Sequence, residues 1–256
     1  MERAELLERL RGMLHGFAPC DYLKGVVEVH RFVESLDEAE RSEFIRALLV
    51  LLARPEDATP VALNLAQDLH LIQARYVLLS HLYSRNFFPP SEEVADPSPW
   101  TDVQRGLVAL TLARLGAQAA VPMLQQEVSR RLAACAGRDG VIARLLRRFL
   151  ARTPPARPCC PPILDVAEDA EGVAAATSRE TRALLRALAM LSPETAVGHL
   201  VAAVDADGRS PGHVAAILDG LGETVVPCDD SAGWVGLALR RLPASHPARL
   251  GGQSLG

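Results

Sequence analysis

Apolar residues recur along most of this chain at intervals of three and four, the spacing of one helix face. Leu6, Leu7, Leu10 and Leu14 make the first such stripe, with charged residues opposite, and Gly16 and Pro19 close it. Asp21 is placed to cap a second helix with a face of Leu23, Val26, Val27, His30 and Val33. Asp37 opens a third, with Phe44, Ile45, Leu48, Leu49 and Leu52 as its buried side. Acidic residues crowd the start of that third helix, where they suit the positive end of its dipole. Arg54-Pro55-Glu56-Asp57 breaks the pattern. Thr59-Pro60 restarts it with an N-cap and a first-turn proline, and one long helix is expected from there to about Ser84. His70 and His81 would share a face of it, roughly 16 Å apart at 1.5 Å per residue. That is too far for one metal, so both read as structural or surface histidines.

The pattern then repeats itself. Thr101–Val128 reads TDVQRGLVALTLARLGAQAAVPMLQQEV, and Thr177–Val204 reads TSRETRALLRALAMLSPETAVGHLVAAV. Aligned without a gap, Leu112 falls on Leu188, Ala113 on Ala189, Leu115 on Leu191, Ala120 on Ala196, Val121 on Val197 and Leu124 on Leu200. Thr101/Gln104 and Thr177/Glu180 are both capping-box pairs, in which the Thr oxygen accepts from the amide three residues on and the longer side chain reaches back. Each copy predicts a helix, a short turn and a second helix. A further first helix is expected over Ser210–Pro227, with Val214, Ile217, Leu218 and Leu221 on its face and Gly222 in the place of Gly116. Ser231 is placed to cap a last helix carrying Trp234, Val235, Leu237, Leu239 and Leu242.

In its turn and second-helix start, LARLGAQAAVPML, the chain resembles HEAT-repeat proteins. The likeness is strongest over residues 101–128 and 177–227. It implies an all-α fold, a short right-handed α-solenoid of stacked antiparallel helix pairs, and protein binding as the usual role; the family has no shared catalytic residues to carry over. On this reading residues 1–247 form one solenoid. Residues 1–100 are divergent N-terminal helices, 101–152 the repeat core, 153–162 a proline-rich break, and 163–247 the C-terminal repeats and cap. Residues 248–256 are a flexible tail.

Composition sharpens the fold class. Aromatics are only 4% of the 256 residues, so the core is built from Leu, Ala and Val, and the first two are strong helix formers. Against that background Phe87, Phe88 and Trp100, in the loop 85–100, form a visible cluster. It is either a plug that packs over a helix edge or a recognition surface, since aromatics favour interface cores. The three rings are therefore partner-binding candidates. Net charge is −4, which counts against a dedicated nucleic-acid binder.

Charge is nevertheless uneven. Arg144, Arg147, Arg148 and Arg152 gather on one predicted helix, with Leu145, Leu146, Phe149 and Leu150 left to face a core. Pro154, Pro155, Pro158, Pro161 and Pro162 then forbid helix, and Asp165, Glu168, Asp169 and Glu171 follow. The arginines either pair with those acids or form a docking stripe for an acidic protein or a phosphate backbone.

No catalytic or metal-binding motif stands out. Asp205-Ala-Asp-Gly-Arg209 begins like a calcium loop but has Ala216 where the bidentate Glu belongs. The five cysteines lack a C-x-x-C pair and any zinc spacing, which fits a reducing compartment. No signal peptide is visible, and the longest apolar run, Ala47–Ala53, is too short to span a bilayer. A cytoplasmic location follows as the expectation, with no cofactor, no metal and no membrane. The leading function is a non-enzymatic protein-binding scaffold or adaptor. The alternative is a nucleic-acid-binding HEAT-like protein, including one of the DNA glycosylase kind, that uses the arginine-rich helix.

Overall fold

The computed structural model describes residues 3–16, 22–84, 87–88, 100–137, 172–204 and 212–252. Among them the chain is helical throughout, with no strand. They fall into two compact units, one running up to Ala117 and the other starting at Gln118. The division passes through the turn inside the stretch 101–128.

The first unit holds α1 (Arg3–His15), α2 (Tyr22–Glu34), α3 (Glu38–Leu52), a 3-10 turn (Pro55–Asp57), α4 (Pro60–Asp68), α5 (Ala74–Leu82) and α6 (Asp102–Arg114). Asp37 caps α3 in a full capping box with Glu40, Thr59 caps α4 ahead of Pro60, and Thr101 with Gln104 makes the box expected at α6. Packing alternates: α1 lies on α3 and α3 on α5, while α2 lies on α4 and α4 on α6. The result is two rows of helices. Helix α6 has no wet side over most of its length, since every residue from Arg105 to Ala113 is buried. Gly116 ends it at φ +70°, a backbone geometry that glycine reaches without strain.

Three expectations fail here, each for a physical reason. The second helix buries Val33 as expected, and Val29 with it, but Leu23 and Val27 face solvent and Val26 and His30 are half-buried; two apolar stripes compete on α2, and packing on α4 selects the one that includes Val29 and Val33. On α3, Ala47 and Leu51 take the fully buried places beside Phe44, Leu48 and Leu52, leaving Ile45 and Leu49 half-buried. The long helix from Thr59 is two helices. His70 sits between them at φ +51°, and Leu71 N–H turns back to the Ala66 carbonyl at 3.0 Å, which closes α4. His70 and His81 thus share no helix.

The second unit holds a 3-10 turn (Gln118–Ala120), α7 (Val121–Gly137), α8 (Gly172–Leu191), α9 (Pro193–Gly198), α10 (Leu200–Ala203), α11 (His213–Glu223), α12 (Gly233–Arg241) and α13 (Pro247–Gly252). Helix α8 packs on α7, α9 and α11. Its approach to α11 is close. Gly220 of α11 lies over the Arg186 carbonyl and the Ala189 methyl of α8, and a Cβ at that position would overlap both. Leu115 and Leu191, equivalent in the sequence alignment, are both buried at the ends of their helices.

Corrections are needed in this unit too. Helix α8 starts at Gly172, so Thr177 lies inside it and opens nothing. Gly222 is helical and does not repeat the left-handed turn of Gly116. Val225-Val226-Pro227 resembles Ala120-Val121-Pro122 in sequence, yet Val225 is 95% exposed whereas Ala120 is buried. At α12 the N-cap position is Ala232, not Ser231, and no side chain caps the helix; Asp230 accepts from Ala232 N–H at 2.8 Å in the turn before it. Residues 247–252, expected mostly within the tail, form α13, which starts after the buried His246.

Candidate functional site

Several polar side chains buried in the two units hold helices together. Asp57, 1% exposed, accepts from Arg11 Nε at 2.9 Å and Nη2 at 3.0 Å, and faces His15 Nε2 at 2.9 Å. The hydrogen bond to Asp57 raises the Arg11 pKa above its ordinary value. A carboxylate spent on a guanidinium fork ties α1 to the turn after α3. His81 meets the Leu52 carbonyl through Nε2 at 2.8 Å, and burial lowers its pKa, so it stays neutral.

The second unit has a larger cluster. Arg131 of α7 donates to Glu127 at 2.6 Å and pairs with Glu180 of α8 at 2.7 Å. Arg130 adds a further bond to Glu127 at 2.9 Å. Burial works against the Glu127 charge, but its bonds to Arg130 and Arg131 outweigh that, and its pKa falls below the usual carboxylate range. Glu180, read from sequence as a capping residue, is turned inward to this cluster instead. His213 of α11 is buried with Nε2 unpartnered. Burial and the nearby Arg182 push its pKa down to about 4.

The sequence candidates divide. Arg144, Arg147, Arg148 and Arg152 lie outside the described residues, as do Pro154–Glu171. Phe87 and Trp100 are buried and Phe88 is half-buried. Phe87 meets Phe88 edge to face with ring centres 4.6 Å apart and Trp100 at 5.2 Å, and His81 closes on Trp100 at 4.7 Å. The edges of these rings are used on one another. Among the described residues no group of His, Cys, Asp or Glu is arranged to hold a metal ion, and no helix is long and apolar enough to cross a membrane.

What does face solvent is the outer side of α5. Ala74, Leu78, His81 and Leu82 are buried on one side of this helix. On the other side Ile72, just before the first turn, Tyr76 and Tyr83 are 50%, 77% and 54% exposed, with Leu79 half-buried among them. These four residues are spaced by four, three and four, so they line up as one seam along the helix. Arg75 borders that seam, three residues after Ile72 and four before Leu79. Its Nε is buried and unpartnered, and one terminal nitrogen points at the Gly116 turn. Hydrophobic residues scattered singly on a surface need no explanation, but two tyrosines and two aliphatics in register do. The seam was present in the sequence as that spacing. Tyr76 and Tyr83 are visible there just upstream of the aromatic loop, but the sequence does not say which side is buried, because Ala74, Leu78 and Leu82 make a second apolar stripe on the same helix.

No family model, curated protein or solved structure matches this chain.

Proposed function

We propose that this protein is a non-enzymatic scaffold that holds a protein partner on an exposed helix face. The finer architecture belongs to the same proposal: a right-handed solenoid of HEAT-like antiparallel helix pairs, working in the cytoplasm. The two alternating rows of helices in the first unit support the paired reading, as does the burial of Leu115 and Leu191 at matching helix ends. The observation that carries the function is the outer face of α5. Tyrosine is enriched in interface cores because it brings a large rigid apolar area with a polar tip at small entropic cost.

A photo-crosslinking scan in the cell tests this. A photoreactive residue is placed in turn at Leu23, Tyr76, Val103, Val201 and Val225, all exposed. One recurrent protein adduct of defined mass is expected. Failure to form an adduct at any of the five positions overturns the scaffold reading.

A further inference from the structure

The chemistry of the partner can be read from the same helix, granted that the chain binds a protein at all. We propose that the outer face of α5 receives an amphipathic α-helix whose apolar residues follow a three-and-four spacing and whose flank carries a carboxylate opposite Arg75.

The spacing argues for a helix. Ile72, Tyr76, Leu79 and Tyr83 succeed one another as the d, a, d, a positions of a heptad do, and a seam of that kind is filled by side chains from a second helix lying along it. An added β-strand would need free backbone donors and acceptors, which α5 has already used inside its own turns.

Charge argues for the carboxylate. The stretch Leu69–Ser84 contains the half-buried Arg75 and the exposed His70 and no acidic residue, while its other histidine, His81, is buried and neutral. No ion pair to Arg75 exists among the described residues. An acid-flanked helix offsets that unpaired charge; a lysine-flanked helix would set like charges together.

Area argues against a second copy of this chain as the occupant. The seam is about 16 Å long at 1.5 Å per residue. Aromatic side chains bury about 150–250 Å² each, so two partly exposed tyrosines with one isoleucine and one leucine offer on the order of 400–500 Å². A stable protein pair needs about 800 Å² from each side. A single helix docked along the seam needs less, and makes a weak, exchangeable complex.

The test uses the full chain and a fluorescent, end-capped 18-residue peptide with leucine at heptad a and d positions and glutamate at the flanking positions. Saturable binding with Kd in the range of about 1–100 μM is expected. Tyr76→Asp should weaken it at least tenfold, and Val201→Asp in the second unit should leave it unchanged. Circular dichroism of Tyr76→Asp checks that the fold survives, as it should at so exposed a position. Arg75→Glu should weaken the glutamate-flanked peptide and strengthen a lysine-flanked one. Equal binding to the parent chain and Tyr76→Asp, or no saturation, overturns the proposal, and so does dimerisation of the parent chain that Tyr76→Asp abolishes. If the peptide fails while the crosslinking scan yields an adduct at Val201 or Val225 only, the scaffold reading stands and the α5 site falls.

Discussion

His213 is the residue whose chemistry is most displaced by the fold. Its pKa drops from 6.5 to about 4 because burial and Arg182 both penalise the imidazolium. The unfolded chain then takes up that proton first as pH falls. Stability from this group is whole above pH about 6.5 and is lost progressively as pH approaches 4, by on the order of 3 kcal/mol. Burial lowers His81 and His199 in the same direction, so the three add. Urea unfolding followed from pH 7 to pH 4 should show a falling midpoint, and His213→Leu should flatten the slope. An unchanged slope in that variant would place the acid sensitivity elsewhere. Nothing in the sequence singles out His213: it sits one residue after Gly212 in a stretch without any histidine motif, and only packing makes its ring dry.

At the scale of an element, local signals were reliable where no tertiary contact competed. Thr101/Gln104 and Thr177/Glu180 carry the same capping pattern, yet only the first opens a helix. Gly172–Ala176 are small residues that the helix runs through, and the inward turn of Glu180 to Arg131 rewards that longer helix with a buried ion pair. The break at His70 had no glycine or proline to announce it. On α2 the sequence reading includes Val33 but takes Leu23 and Val27 in place of Val29 for a related cause, since both stripes have the same three-and-four periodicity. Close helix approach, by contrast, leaves a legible trace in glycine. Gly220→Ala must push α11 away from the Arg186 carbonyl, an overpacking cost of about 1–3 kcal/mol that outweighs the roughly 1 kcal/mol alanine gains in a helix. Two residues on, a Cβ at Gly222 meets nothing. Gly222→Ala should therefore raise the urea midpoint while Gly220→Ala lowers it, and like signs would mean the α8–α11 crossing is looser than described.

For the whole molecule, charge sets the terms on which any partner is met. A chain of net charge −4 has little general attraction for a polyanion, and duplex DNA is held mainly by phosphate neutralisation with counterion release. Fluorescence anisotropy with random duplex DNA at physiological salt should show no binding at low micromolar protein. Binding there with a steep salt slope would favour the nucleic-acid alternative and return attention to Arg144, Arg147, Arg148 and Arg152. One property of α6 reaches further than stability. A segment apolar around its whole circumference, as α6 is from Gly106 to Ala113 with Thr111 its one polar residue, is a hazard when it is first made. The ribosome delivers α4 and α5, the helices that cover it, before residues 102–114 leave the exit tunnel. The order of synthesis thus acts as a chaperone for α6, and a circular permutation that translated it ahead of its covers would expose that segment to aggregation without altering a single native contact.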